Sequence, residues 1–532
     1  MITLFKPRNT APKLPLGLLP AALLATLMCV PPWVISAEPI KALDRIEDLP
    51  ATGTAEYEAN CAVCHGEQMQ GAAQGSPLVG QTLKHGDSIA ELTQSIAEGF
   101  PNKGMPAWSN VFTDQQVKAL ALLVSENRAG YRVDMNIHSE LEIPDELFRS
   151  AKHDFVLEEI TAGLDRLPYS ISVLPDGAIA VTEKMYGLRL VSPDGALSEL
   201  IKGTPETGQD VFLMASDSLE FGTGWLLDVQ AHPNYADNGW LYLHYTECGE
   251  RCNQVASVDE PPLSRNVLVR GRIKDGQWVD QELIWQAPTF DANLYLDMVA
   301  GGRITFDPEG YVFITVGMRN MDGIQDLSTP YGKTHRLHDD GRIPADNPFV
   351  DDPEAGNSIW TYGHRSPQGL FFDPQTRQVW ETEHGPRGGD EINLLLPGKN
   401  YGWPMFSSGQ NYDGTEVAHG RQQSEVELKD TELPAVDWVP SPAISNLTVY
   451  RGEAFPQWQG QFLVGSLKAA NLYRIQMEGN RSVAQELLVP NLARIRDIDV
   501  DANGLVYLLL EHASGGRIVR LRPADEPLIG AR

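Results

Sequence analysis

Two cysteines three residues apart, followed at once by a histidine, stand at Cys61-Ala62-Val63-Cys64-His65. Two thiols at that spacing suit covalent haem attachment, with the adjacent His65 as an axial iron ligand. A redox dithiol uses the same pair, but it needs no following histidine and is expected beside a βαβ pattern, which does not surround this motif. A second axial ligand has to come from later in the same small domain. Met105 lies in Asn102-Lys103-Gly104-Met105-Pro106, a loop that turns sharply and can present sulfur to iron. Thioether ligation raises the potential and suits electron transfer. His85 is the rival ligand, and Met69 is too near in sequence to reach the opposite face easily.

A second set of residues lies far downstream. It comprises Gly363-His364-Arg365-Ser366-Pro367-Gln368-Gly369-Leu370, Glu383-His384-Gly385-Pro386-Arg387-Gly388-Gly389-Asp390-Glu391-Ile392-Asn393 and Gly398-Lys399-Asn400-Tyr401-Gly402-Trp403-Pro404. Gly465-Ser466-Leu467-Lys468 and Arg494-Ile495-Arg496-Asp497 follow. The chain carries a net charge of −29, which argues against a general nucleic-acid binder. Against that background Arg365, Lys468, Arg494 and Arg496 suggest fixation of an anion, since guanidinium forks match carboxylates. Gly385-Pro386 offers backbone carbonyls on a tight turn, a hard oxygen set suited to Ca²⁺.

These residues need elements to hold them. The 532 residues leave room for two or three domains, and 48 glycines with 37 prolines suit a turn-rich β protein. Residues 1–37 read as an export signal, with Lys6, Arg8 and Lys13 ahead of an apolar stretch and Ile35-Ser36-Ala37 as a cleavage site. The alternative is an uncleaved membrane anchor. An exported chain is expected in the periplasm, where Cys248 and Cys252 can pair as a disulfide. Residues 48–130 read as a small helical domain. Its pattern predicts helices over Glu56–Cys64, Asp87–Glu98 and Thr113–Asn127. Residues 131–158 form a linker. From 159 to 527 one unit recurs, an apolar run, an Asp/Pro/Gly turn and a second apolar run. It occurs at Ile171–Thr182, Val229–Tyr245, Ile304–Val316, Leu370–Trp380, Val449–Val464 and Ile498–Leu510. Six such hairpins predict a mainly β chain, a six-bladed β-propeller preceded by a small all-α domain.

The helical domain resembles a class I cytochrome c, with Trp108 packing around the haem. The downstream motifs occur in the order found in the soluble PQQ-dependent aldose sugar (glucose/sorbosone) dehydrogenases, which they resemble over roughly 160–525. The resemblance implies that Arg365, Lys468, Arg494 and Arg496 bind PQQ, with Arg365 also orienting substrate. It implies that Gly385 and Pro386 hold a Ca²⁺ that polarises the quinone, and that Glu391 and Tyr401 belong to a second, structural Ca²⁺ site. It also exposes departures. Val299 stands where the family places the histidine that takes the substrate hydroxyl proton. Gly317-Met318 replaces a usual Gly-Asp, Thr223 a pocket glutamine, and Ser366 an asparagine. Asp297, His364 and His384 are candidates for a replacement base.

The expectation is therefore an exported quinohaemoprotein oxidoreductase. It would oxidise a sugar-like or alcohol substrate with PQQ and pass electrons to its haem c, then to a downstream cytochrome or oxidase. The alternative is an electron-transfer cytochrome c carrying a degenerate propeller that binds a ligand or partner.

Overall fold

The computed structural model describes residues 53–131, 140–208, 212–213, 220–250, 261–294, 296–412 and 414–524. The export segment and Cys252 lie outside the described residues. Among the described residues, no helix is long and apolar enough to cross a membrane.

The N-terminal helices are α1 (Thr54–Asn60), α2 (Ala62–His65), α3 (Ile89–Glu98) and α4 (Asp114–Ala129). The sequence predicts one helix over Glu56–Cys64; the chain instead breaks it at Cys61, so α2 carries Cys64 and His65. Capping boxes start the two longer helices. Ser88 exchanges hydrogen bonds with Glu91, and Thr113 with Gln116. Each box satisfies backbone donors that the first helical turn leaves without partners. Gly130, at φ 71°, ends α4 in a left-handed conformation that suits glycine. The helices close over Tyr57, Met69, Leu92, Leu120, Ala121 and Val124.

The rest is a six-bladed β-propeller. Blade 1 is Pro168–Val173, Ile179–Glu183 and Gly187–Val191. Blade 2 runs through Leu226–Ala231, Leu241–Cys248, Leu263–Lys274 and Gln277–Gln286. Blade 3 is Gly301–Phe306, Tyr311–Val316, Lys333–His338 and Ile359–Tyr362. Blade 4 is Pro367–Asp373, Gln378–Glu383, Asp390–Leu395 and Val436–Trp438; blade 5 is Ile444–Val449, Phe462–Ser466, Leu472–Glu478 and Arg481–Val489. Blade 6 joins Arg494–Val500, Val506–Glu511 and Gly516–Pro523 to the early strand Phe155–Leu164, so the two ends of the domain share a sheet and lock the ring. The six recurring hairpins of the sequence fall on the first two strands of the six blades.

The innermost strands pack side by side around the axis. Their free edges are satisfied across blades by side chains. Asp497 accepts from the Ile171 amide and Asp499 from the Val173 amide, both at 2.7 Å; Asp228 accepts from the Ile304 amide at 2.7 Å. Buried backbone donors need such partners, which explains carboxylates in a propeller core.

Candidate active site

All six innermost strands run the same way. Arg303, near the start of one, donates to the carbonyls of Gln368 (2.7 Å) and Arg496 (3.0 Å), near the starts of two others; the Tyr169 hydroxyl donates to the Gly301 carbonyl at 2.6 Å. The second strand of each blade is antiparallel to the first. Residues just before an innermost strand and just after a second strand therefore share one end of the ring. Lys184, Thr223, Val299, Met318, Arg365, His384 to Arg387 and Lys468 meet that rule, and Arg494 and Glu511 are the strand-end residues on the same side.

On this face Glu511 gathers three cations: Arg494 at 2.7 Å, Arg496 at 2.8 Å and Lys184 at 3.5 Å. Their pull outweighs burial and holds the Glu511 carboxyl far below the usual range. Burial first, then Arg496, pushes the Lys184 ammonium down to about 7. Its Nζ lies over the rings of Trp225 and Tyr169, at 4.8 and 5.8 Å. The Arg496 guanidinium also donates to Gln368 Oε1 at 3.2 Å, and Gln368 Nε2 reaches Ser366 Oγ at 3.0 Å. Arg365 donates to the His384 carbonyl at 3.1 Å and lies 5.3 Å from the Trp403 ring. Its buried Nε has no hydrogen-bond partner among the described residues. A surplus of cation and an unpartnered guanidinium nitrogen fit an acidic ligand. The carbonyl oxygens of Gly385 and Pro386 accept no hydrogen bond among the described residues, which suits a hard cation.

The opposite part of the face is apolar. Val299 is buried against Met318, Ile324, Trp403 and Val417. A β-carbon on Gly317 would lie 1.8 Å from the Val299 carbonyl oxygen, so only glycine fits beneath this wall. Nearby, Thr223 Oγ1 and Trp225 Nε1 are buried without partners among the described residues.

The three candidate bases separate clearly. Asp297 pairs with Arg319 at 3.3 Å and accepts from the amides of Gly224 and Trp225, the Thr246 hydroxyl and Asn293. It is a fully used structural carboxylate. His364 lies between Glu381 (3.0 Å) and Glu383 (3.1 Å), which overcome burial and push it up to about 10. A permanently charged imidazole takes no proton. His384 gives its Nε2 to the Ile444 carbonyl at 2.5 Å, so that nitrogen carries the proton and Nδ1 keeps a lone pair. Burial first, then Arg365 and Arg496, pushes it down to about 3.

Glu391 and Tyr401 both border the buried Glu383 and His364, with different further partners. Glu391 lies with Glu383, Asn393 and Asp437, whereas the Tyr401 hydroxyl donates to the Leu394 carbonyl and accepts from the Leu396 amide.

In the helical module Cys61 and Cys64 are half-buried free thiols. Burial first, then the neighbouring Cys64, pushes the Cys61 thiol up to about 11. His65 Nδ1 donates to the Ser76 carbonyl at 2.8 Å, which fixes the tautomer and leaves Nε2 for a metal. That donor set fits a haem. Met105 is half-buried and pairs by backbone with Phe100, on whose ring His85 stacks at 4.1 Å. Both rival ligands thus lie at one loop, while Met69 is buried in the core.

The Glucose / Sorbosone dehydrogenase family profile matches residues 165–520. The chain belongs to that family. The aldose sugar dehydrogenase YliI of Escherichia coli is 33% identical over 361 residues, covering 67% of this chain and 90% of that relative. Quinoprotein glucose dehydrogenase B of Acinetobacter calcoaceticus is 25% identical, covering 70% and 88%. The crystal structure of the soluble E. coli aldose sugar dehydrogenase superposes with a TM-score of 0.59 at 31% identity, covering 69% of this chain and 99% of that one. The profile of the cbb3-type cytochrome c oxidase subunit III matches residues 48–124. Here the subunit CcoP of Azospirillum brasilense is 38% identical over 78 residues, 14% of this chain and 26% of that relative. The chain is a sugar-dehydrogenase-like propeller fused to a cytochrome c domain.

Sequence reasoning passes over Lys184, Glu511 and Glu126. Lys184 follows directly on an apolar strand, a weak signal. Glu126 looks like any solvated helix charge, yet it lies against Arg387 and Lys468.

Proposed function

We propose that the chain is an exported dehydrogenase that oxidises a sugar-like substrate with PQQ and passes the electrons to a covalent haem c in its own N-terminal module. The observation that carries this reading is the gathering of Lys184, Arg494 and Arg496 on one carboxylate, beside the unpartnered Nε of Arg365. Three cations around one anion leave an excess of positive charge where an acidic cofactor would bind. Arg494, Arg496 and Lys468 hold its carboxylates, Arg365 orients substrate and cofactor, and the carbonyls of Gly385 and Pro386 hold a Ca²⁺. Bound there, PQQ supplies a quinone that accepts a hydride from an alcohol carbon.

The chain's own residues must still accept the hydroxyl proton. His384 Nδ1 is the uncommitted lone pair among the three candidates, but with a pKa of about 3 it is a weak base. A weak base favours a substrate whose hydroxyl is already acidic, an aldose hemiacetal over a simple alcohol. The wall around Val299 keeps water away from that step. Cys61 and Cys64 attach the haem, and His65 with Met105 ligates its iron, which suits single-electron transfer onward to a downstream cytochrome or oxidase. Fusion raises the effective concentration of the acceptor. The disulfide-bonded state of Cys248 agrees with an oxidising, periplasmic destination.

The test is to load the purified full chain with PQQ and Ca²⁺ and follow the haem α-band when aldoses are added. Reduction that requires both additions supports the reading. The hydrophobic setting of Val299 favours a second reading, a propeller that has kept ligand binding and lost catalysis. PQQ binding without haem reduction across a panel of aldoses and alcohols would favour that one.

A further inference from the structure

Helix α4 of the cytochrome module ends against the propeller, on the face that carries the cations. Glu126 lies in its last turn. Its Oε2 accepts from Arg387 at 3.0 Å and its Oε1 from Lys468 Nζ at 3.1 Å. Arg387 follows the second strand of blade 4, and Lys468 follows that of blade 5, so one carboxylate bridges two blades. All three side chains are largely enclosed, at 14%, 10% and 23% exposure. Just beyond the helix, the Tyr131 side chain lies beside Tyr473 of blade 5 and near Asp390, and burial pushes its hydroxyl pKa up. An exposed pair of this kind would hold little. Here the three charges are enclosed, and removing Glu126 takes from the Lys468 ammonium the carboxylate that faces it, which is the costly case.

We infer that Glu126 is an intramolecular latch, docking the cytochrome module on the cofactor face through Arg387 and Lys468. The partner this surface fits is a helix end carrying a single carboxylate. The family's propeller alone has no such helix to receive, so the latch belongs to the fusion. For its consequence on electron transfer it rests on the proposed function; for docking it does not. Without the latch the haem module stays tethered by the linker but spends less time against the propeller, and transfer between them slows.

The experiment uses the full-length haem-bearing protein, loaded with PQQ and Ca²⁺, as wild type, E126Q and E126D. Hydrogen exchange of the resting protein is read at 114–131 and at 467–473. In E126Q both segments are expected to exchange faster, with α3 unchanged as the control for folding of the module. E126D keeps the charge and is expected to recover much of the protection. Haem reduction by substrate is expected to slow roughly tenfold in E126Q. With PQQ kept saturating, any change in cofactor affinity at Lys468 drops out, and turnover with a small artificial electron acceptor is the reference against which that slowing is read. Unchanged exchange in E126Q overturns the latch; altered exchange with unchanged haem reduction overturns its role in electron transfer and leaves only the docking. A wild type whose haem is never reduced, but whose exchange responds to E126Q, sinks the proposed function and leaves the latch standing.

Discussion

The two sides of one propeller face are built on opposite principles. Toward blades 6 and 1, charge is concentrated: Arg494, Arg496 and Lys184 converge on Glu511, which neutralises only part of them. Toward blade 3, charge is neutralised within the buried pair of Asp297 and Arg319, and Val299, Met318, Ile324 and Trp403 form an apolar wall. The difference separates two tasks that the same face would have to perform together. Holding an acidic ligand needs fixed cations, which remain. Taking a proton needs a titratable group within reach, and on the blade 3 side none of these four side chains can titrate.

The charged side breaks first if Arg496 is lost. R496M leaves Glu511 with two cations and deprives the ligand of a buried guanidinium. A charge-assisted hydrogen bond contributes about 1.5–3 kcal/mol, so PQQ affinity is expected to fall on the order of 100-fold. Calorimetric titration of the PQQ-free protein reads this directly. An unchanged affinity would place the ligand elsewhere and dissolve the contrast between the two sides.

The apolar side is sharpened by V299H. General-base catalysis typically contributes 10²–10⁴-fold, so restoring an imidazole is expected to raise turnover by about 100-fold if nothing else takes the proton well. Setting a polar ring into that cluster also costs about 1–3 kcal/mol of stability, visible as a lower Tm. A variant that folds and turns over no faster would mean that the proton already leaves efficiently, through His384 or through the substrate's own acidity.

Much of this was legible in the chain. The six hairpin units mark the first two strands of the six blades because turn chemistry and alternating apolar runs are local properties. The motif Cys61 to His65 carries its own spacing, and Thr113 caps α4 as its position suggests. Relations between distant blades were not legible. Lys184 and Glu511 are separated by 327 residues and meet only because one follows and the other ends the second strand of adjacent blades. Glu126 meets Lys468 across 342 residues. Asp297 and His364 illustrate the converse. Each reads as a free base in the sequence, and each is used up by partners that only the folded ring supplies.

The smallest expected effect tests whether Lys184 belongs to the charged side at all. Burial and the neighbouring arginines have lowered its pKa from 10.5 to about 7, so below that value it adds a third cation and above it none. An anionic ligand binds the charged form better, and by linkage its binding raises the Lys184 pKa. A rise of one unit corresponds to roughly tenfold in affinity. PQQ affinity is therefore expected to be flat from pH 5.5 to about 7 and then to decline by up to roughly tenfold toward pH 9. In K184M the decline should vanish, with affinity near the wild type's high-pH value throughout. Guanidinium groups are not deprotonated in proteins, so the arginine side of the cluster does not generate this slope. If K184M retains the same pH profile, Lys184 is a buried prop beneath Trp225, and the charged side consists of arginines alone.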